Sequence, residues 1–409
     1  MTGSYRLRIL GGIAAAIAIV VFPSITRDAF AIAVVTQMGI MVIFALSFNI
    51  IFGQSGMLSF GHAAFYGLGA FFSAHSMNLM ASLSSPTPLP LVPFIGGFTA
   101  LIFGIIFGLI ATRTVGAIFG LVTLGIGELV RTMLDLVPRF SGGESGVVTN
   151  RIIGTPLLGA SFGTPVEIYF LVAVWMGVCL FAIYFLTLTP LGRMANAVRD
   201  NPERAAFTGY SVSFIRFLQY CLSAFFAGIA GALSAINSEF VSVESVGLFN
   251  SGSVLFATVI GGSSLFLGPV VGAVVFVFFV SFLSIFTSAW MLYLGVFFLI
   301  VIFYLPGGLM GGGLTLLAAC QAANRQELAS IVFRATAVVS VTLGGVGLIE
   351  TLYQFSKTGR AAFTLSHTLP FDLGQILVWV ASAILLVGGL ISIIVLHLRQ
   401  RMVAPGVKA

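Results

Sequence analysis

The chain has 409 residues, 59% of them hydrophobic and only 7% charged. A soluble protein carries about 25% charged residues, so this composition excludes a soluble enzyme or receptor and predicts an all-α polytopic membrane protein. The net charge of +6 does not signal nucleic acid: all but two of the basic residues are arginines, set mainly at the ends of apolar runs, where charge sets topology.

Each crossing takes about 20 apolar residues, so roughly twelve spans would fill most of the chain. The apolar runs are continuous rather than alternating, which excludes a porin-type barrel. Cys179, Cys221 and Cys320 lie in or beside apolar segments, lack metal-ligand spacing, and read as small core residues.

The first expected span is Ile9–Phe22, behind Arg6 and Arg8. No small-x-small cleavage site follows it, so it reads as a retained span. Span two is Ala29–Phe52. Span three begins in GQSGMLSFGHAAFYGLGAF, Gly53–Phe71, and continues to Met80. A helix that only crosses lipid needs neither these glycines nor these polar groups, because glycine weakens helices and buried polar side chains need partners. Either helices approach closely here, or the backbone is broken where it lines a cavity.

A proline-rich outer loop, Ser82–Pro93, leads to span four, Phe94–Ala111, which ends at Arg113. Span five, Val115–Val137, contains Glu128, Arg131 and Asp135. A polar loop, Pro138–Pro165, precedes span six, Val166–Leu188. The basic segment Thr189–Val212 leads to span seven, Phe214–Ile236. GGSS at 261–264 and Gly268-Pro269 interrupt Ser253–Leu283, which reads as two helices meeting near Ser263–Pro269. Met291–Tyr304 ends at LPGG, a linker (Gly311–Leu328) follows, and Ser330–Tyr353 and Gly374–Leu398 are the last spans. Alternation from an inside start puts Arg113, the Arg193–Arg216 cluster, Arg325 and the tail inside, with both termini cytoplasmic. Arg139, Arg151, Lys357 and Arg360 are the exceptions.

Several groups invite a functional reading beside a structural one. Asn49, Gln54, Ser59, Gly61 and His62 either line a solute pathway or make helix–helix contacts. His62 is not a metal ligand by sequence, since the other histidines are dispersed. Glu128, Arg131 and Asp135 share one helical face. They form either a structural ion-pair cluster or the outer mouth of a pathway where a zwitterion meets both signs. The Gly-broken segments Gly53–Phe71 and Gly247–Phe276, the latter with Gly261 and Gly262, point to a central pathway between two halves. In the basic segment, Asn201 can cap a helix, Pro202 suits its first position, Glu203 suits its positive end, and Gly209 can end it. It is either a solvated loop or a docking helix for a cytoplasmic partner, with Arg193, Arg199 and Arg204 beside that partner. The chain contains no phosphate-binding loop of the G-x-x-x-x-G-K-[ST] kind and no Ser/His/Asp or H-E-x-x-H arrangement.

Five pieces in order resemble the permeases of branched-chain amino acid ATP-binding cassette (ABC) transporters, the Liv-type group. They are LSFNIIFGQSGMLSFGHAAFYGLGAF (46–71), TLGIGELVR (123–131) followed by SGGESGV (141–147), TPLGRMANAVRDNPERAAFTGYSV (189–212), FAGIAGALSA (226–235) with ATVIGGSSLFLGPVVGAVV (257–275), and YLPGGLMG (304–311). The resemblance covers about residues 30–311. It implies an inner-membrane importer built with a second permease subunit, two cytoplasmic ATP-binding subunits and a periplasmic solute-binding protein. ATP is then bound by those partners, with no cofactor in this chain, no metal and no nucleic acid. It implies ATPase coupling through Gly192, Arg193, Arg199, Asp200, Glu203, Ala205, Ala206 and Gly209. Relatives with this pattern also carry urea, short amides and organic acids. The expected architecture is about ten core transmembrane helices within residues 1–311, plus two extra helices in a C-terminal extension, 312–409. An ion-coupled secondary transporter or a passive channel is the rival function.

Overall fold

A computed structural model describes residues 22–23, 26, 28–83, 88–152, 161–287, 289–305 and 307–322, with isolated positions near 345. The expected spans at Ile9–Phe22, Ser330–Tyr353 and Gly374–Leu398 lie outside the described residues, apart from Phe22 and those isolated positions. The described residues fall into two compact units, one within Met1–Ser281 and Ile300–Gly311, the other within Phe282–Leu299 and Gly312–Ala409. The first unit holds every candidate site residue. The described part of the second is helical, at 284–286, 290–299 and 312–322.

Helices dominate. The long ones are α1 (Ala29–Asn49), α2 (Ala63–Ser82), α3 (Val92–Ala111), α4 (Gly116–Leu136), α5 (Pro165–Leu188) and α8 (Val212–Ser238). Between α5 and α8 lie two short helices, α6 (Pro190–Asp200) and α7 (Pro202–Phe207). After α8 come α9 (Leu248–Gly261), α10 (Gly268–Phe278), α11 (Trp290–Tyr304) and α12 (Gly308–Ala322). Their starts follow local chemistry. The Asp28 carboxylate accepts the Phe30 N–H at 3.1 Å to begin α1. Thr164 and Glu167 form a capping box at α5, with Pro165 in the first turn. Among the described residues, the one exception to the all-α expectation is a pair of two-residue strands, β1 (Val147–Val148) and β2 (Phe240–Val241). They are antiparallel, with Val147 opposite Val241.

Among the described residues, five helical stretches are long and apolar enough to cross a membrane: Ala29–Gln54, Leu89–Ala111, Gly116–Leu136, Pro165–Leu188 and Val212–Ser238. The 20-residue α2 is not among them, yet it is one of the most enclosed helices, packed against α3 and α8. A helix wrapped by other helices need not present an apolar surface to lipid, which is how α2 tolerates Gly67, Gly69, Ser73 and His75. Small residues let the backbones meet: a Cβ on Gly69 would lie 2.5 Å from the Gly228 carbonyl oxygen on α8. The chain is therefore an all-α polytopic membrane protein.

Three boundaries differ from the sequence expectation, one of them the expected linker at Gly311–Leu328, whose described part belongs to the helix α12, Gly308–Ala322. The expected third span, Gly53 to Met80, does not run as one helix. α1 widens into a π turn at Ile50–Gln54, residues 56–62 carry no regular helix, and α2 starts only at Ala63. In the segment Thr189–Val212, read as a solvated loop or a docking helix starting at Asn201-Pro202, a first helix already forms at Pro190–Asp200 (α6), begun by the Thr189 hydroxyl accepting the Gly192 N–H at 3.3 Å. The break expected near Ser263–Pro269 is present between α9 and α10.

Candidate functional site

The broken stretch after α1 is held on both sides. Phe60 donates its N–H to Thr123 Oγ1 on α4 at 3.1 Å. Ala63, the first residue of α2, donates to Ser251 Oγ on α9 at 3.0 Å. Non-helical backbone inside a membrane protein requires such partners, because lipid supplies none. Between these two anchors lies His62, with no exposed surface. Its Nε2 is 3.0 Å from Ser47 Oγ. The Ser47 hydroxyl also donates to the Phe44 carbonyl at 2.7 Å, an arrangement that suits the His62 tautomer with its proton on Nε2. Phe44 stacks on the ring at 5.5 Å between centroids, while Phe48 and Phe65 meet it edge-on at 5.4 and 6.1 Å.

The other polar residues of this stretch are also interior. Asn49, Gln54 and Ser59 are buried, and Asn49 Oδ1, Ser59 Oγ and His62 Nδ1 lack hydrogen-bond partners among the described residues. Gly61 abuts α4, where a Cβ would lie 1.9 Å from the Thr123 carbonyl oxygen. Gly261 and Gly262 are likewise at backbone crossings. A Cβ on Gly261 would sit 1.8 Å from the Gly268 carbonyl oxygen, and one on Gly262 would sit 2.1 Å from that of Gly307. Gly262 also has a φ of +103°, which favours glycine. Close packing thus accounts for the type of residue at all three glycines.

Glu128, Arg131 and Asp135 are placed differently. α4 buries Phe119, Gly120, Thr123, Gly127, Val130 and Leu134 against the bundle. The three charged residues stand on an exposed face instead. Arg131 Nη1 lies 4.0 Å from Glu128 Oε2, with side chains 46% and 49% exposed. Asp135 has no ion-pair partner among the described residues. Leu121 and Gly125 continue this face toward the start of the helix, and Gly125 has nothing within 4 Å of where a Cβ would be. A membrane helix that shows three charges outward is not finished by lipid alone.

The α6–α7 segment divides its expected site residues into two groups. Gly192 and Ala205 are buried. A Cβ on Gly192 would lie 2.3 Å from the Leu186 carbonyl oxygen, and Ala205 joins Ala195, Val198 and Ile215 in a small core. Arg193, Asp200, Glu203, Ala206 and Gly209 are exposed. Asn201 Oδ1 accepts the Arg204 N–H at 2.9 Å, and Gly209 turns the chain with φ +89°. Arg199 is also exposed, its side chain at 35%, yet it reaches back to the broken stretch: its Nη1 donates to the Gly53 carbonyl, while Nε and Nη2 each lie 3.0 Å from Asp200 Oδ1. Sequence reasoning missed Phe207, the last residue of α7, which is 91% exposed. Its signal was an aromatic residue at the end of a short polar helix.

Residues 30–305 match the family described as branched-chain amino acid transport system / permease component. Among curated relatives, the high-affinity branched-chain amino acid transport system permease protein LivM of Escherichia coli is 30% identical over 307 residues, covering 70% of this chain and 71% of its own. LivM of Salmonella typhimurium is 29% identical over 309 residues, with the same coverage. The fructose import permease protein FruF of Bifidobacterium longum is 37% identical over 93 residues, 21% of this chain and 26% of its own. No solved structure matches. The family match spans most of the chain and takes in the broken stretch, the charged face of α4 and the α6–α7 segment, so this chain belongs to the branched-chain amino acid transport permease family and is a multi-pass membrane permease component.

Proposed function

We propose that this chain is the transmembrane permease subunit of an ABC importer in a bacterial inner membrane. It moves branched-chain amino acids, or a related small polar solute such as urea, an amide or an organic acid, by alternating access. A second permease subunit, two cytoplasmic ATP-binding subunits and a periplasmic binding protein complete the system. ATP is bound by those partners. In this reading about ten core spans lie within residues 1–311, residues 312–409 form an extension, and both termini face the cytoplasm.

The exposed charged face of α4 carries the reading. Charged side chains within membrane helices are rare and face a bundle interior or water rather than lipid. Glu128, Arg131 and Asp135 therefore face the junction with the second permease, where water and solute reach them. Alternating signs on one face suit a zwitterion, and Leu121, about two turns before Glu128, offers aliphatic contact to its side chain. The printed names of the LivM relatives support the same solute class. The exposed residues Arg193, Glu203, Ala206 and Gly209 form the side of α6–α7 offered to an ATPase.

The deciding experiment purifies the permease with its ATPases and reconstitutes it in proteoliposomes. ATP hydrolysis is then measured with binding protein and a panel of leucine, isoleucine, valine, urea, short amides and organic acids. Stimulation by one class is expected. A permease that retains no ATPase, or hydrolysis indifferent to every solute, overturns the reading.

A further inference from the structure

We propose that Arg199 is a positioning residue that carries movement of the α6–α7 segment into the broken end of α1, and is not itself a docking contact for the ATPase. The inference rests on the importer reading for the existence of that ATPase. Its geometry is separate.

Three segments of chain meet at Gly53. Its carbonyl accepts a hydrogen bond from Arg199 Nη1. Its α-carbon is hemmed in: a Cβ there would lie 2.1 Å from Asn49 Oδ1 and 2.4 Å from the Ser263 carbonyl oxygen. Three residues on, Gly56 adopts φ +69° and presses against the arginine stem, with a Cβ there falling 2.9 Å from Arg199 Cγ. Glycine is required twice within four residues, and at Gly56 the neighbour is Arg199. The other edge of the guanidinium holds Asp200 at 3.0 Å. A planar fork that binds both sides keeps a fixed distance between them.

At the sending end, α6 is not a loose arm. Ala195 and Val198 pack with Ala205 of α7 and Ile215 of α8, so α6 and α7 share one small core. At the receiving end the backbone leaves the regular α-helix. Ile50–Gln54 is a π turn, one residue wider than an α turn, and such turns are frequent at functional sites. Asn49 Oδ1, beside this turn, has no partner among the described residues. Beyond the turn, the non-helical stretch reaches Gly61, which is wedged against Thr123 and Gly127 of α4. Arg199, Gly53, the broken stretch and α4 thus form one contiguous chain of contacts from the α6–α7 segment to the charged face, with the π turn of α1 at its first joint.

The test uses the assembled complex with its ATPases in proteoliposomes, carrying Arg199→Ala or Arg199→Lys. Co-purified ATPase, ATP hydrolysis and solute moved are measured together. ATPase content and basal hydrolysis should stay at the wild-type level. Solute moved per ATP should fall by at least about fivefold in Arg199→Ala, the low end of coupling factors between linked sites. Arg199→Lys, which keeps the charge and one donor but not the fork, should fall between. It decides the question if Arg199→Ala does not assemble. An unchanged ratio in the variants that assemble overturns the inference. So does loss of ATPase from the complex in both variants, because Arg199 would then be a docking contact. A wild-type permease that holds no ATPase strikes the importer reading instead.

Discussion

Gly61 and Gly127 meet backbone to backbone: a Cβ on Gly127 would lie 3.0 Å from the Gly61 α-carbon, and one on Gly61 would lie 3.1 Å from the Gly127 nitrogen. One glycine belongs to the broken stretch and the other to the helix that displays the charged face. Neither is paired with solvent or with a side chain that can step aside. The contact makes the position of α4 depend on the path of residues 56–62.

Gly61→Ala should therefore be poorly tolerated. The added methyl meets the Thr123 carbonyl oxygen, which cannot rotate away, and overpacking of this kind costs about 1–3 kcal/mol. Gly125→Ala is the matched control, because nothing lies within 4 Å there and alanine favours helix. Thermal unfolding in detergent should show a lowered midpoint for Gly61→Ala and an unchanged or raised one for Gly125→Ala. Equal behaviour of the two would remove the crossing as a constraint.

His62 should prove to be a packing residue. Its ring fills a cage of Phe44, Phe48 and Phe65, and its one direct hydrogen bond goes to Ser47 rather than toward the charged face. His62→Ala should destabilise the protein by about 2–5 kcal/mol, the range for truncating large buried side chains. In the protein that survives, the apparent affinity for solute should not change. Ser47→Ala, which removes only the hydroxyl, should cost less, about 1 kcal/mol. Uptake kinetics alongside unfolding midpoints separate the two quantities. A shifted affinity with intact stability would return His62 to the pathway.

The charged face should show the opposite pattern. Glu128 and Arg131 are about half exposed, and such pairs contribute about 0–1 kcal/mol to stability. Glu128→Gln and Arg131→Gln should leave the unfolding midpoint nearly unchanged. If each sign meets one end of a zwitterion, either change should lower uptake of an amino acid by roughly tenfold, the effect of losing a charge-assisted contact of about 1.5 kcal/mol. For an uncharged solute such as urea the loss should be small. Equal losses for charged and uncharged solutes would argue for a structural pair.

The contrast between His62 and Glu128 indicates what the sequence could convey. Its composition marked polar and glycine residues in lipid as unusual, and the breaks at 53–62 and 262–267 follow from that. The helix start at Asn201-Pro202-Glu203 was legible because capping is local chemistry. Facing was not legible. His62 and Glu128 look equally functional in one dimension, yet one is enclosed by three phenylalanines and the other stands outward. That difference is set by which helices wrap α2 and by one face of α4, which depend on contacts across the bundle. The inward turn of Arg199 was hidden for the same reason: its partner Gly53 lies 146 residues away in the chain.

The α7 helix offers the last prediction, because its two ends obey different rules. At its start, the Asn201 side chain accepts the Arg204 N–H, and Asn201→Ala should remove about 1 kcal/mol from that turn. At its end, Gly209 has φ +89°, a region that β-branched residues avoid and asparagine visits more readily. Nothing lies within 4 Å of a Cβ at Gly209, so any penalty there comes from the backbone and not from a clash. Gly209→Asn should therefore transport nearly normally, while Gly209→Val should strain the turn by about 1–2 kcal/mol. Gly209→Pro cannot reach this φ and should uncouple transport altogether. Because α7 shares its core with α6 and α8, the strain should appear as solute uptake lost at constant ATP hydrolysis, with the permease still assembled. Uptake that falls equally in the asparagine and valine variants would mean that the residue is needed for a contact, and that backbone conformation is not what selects glycine there.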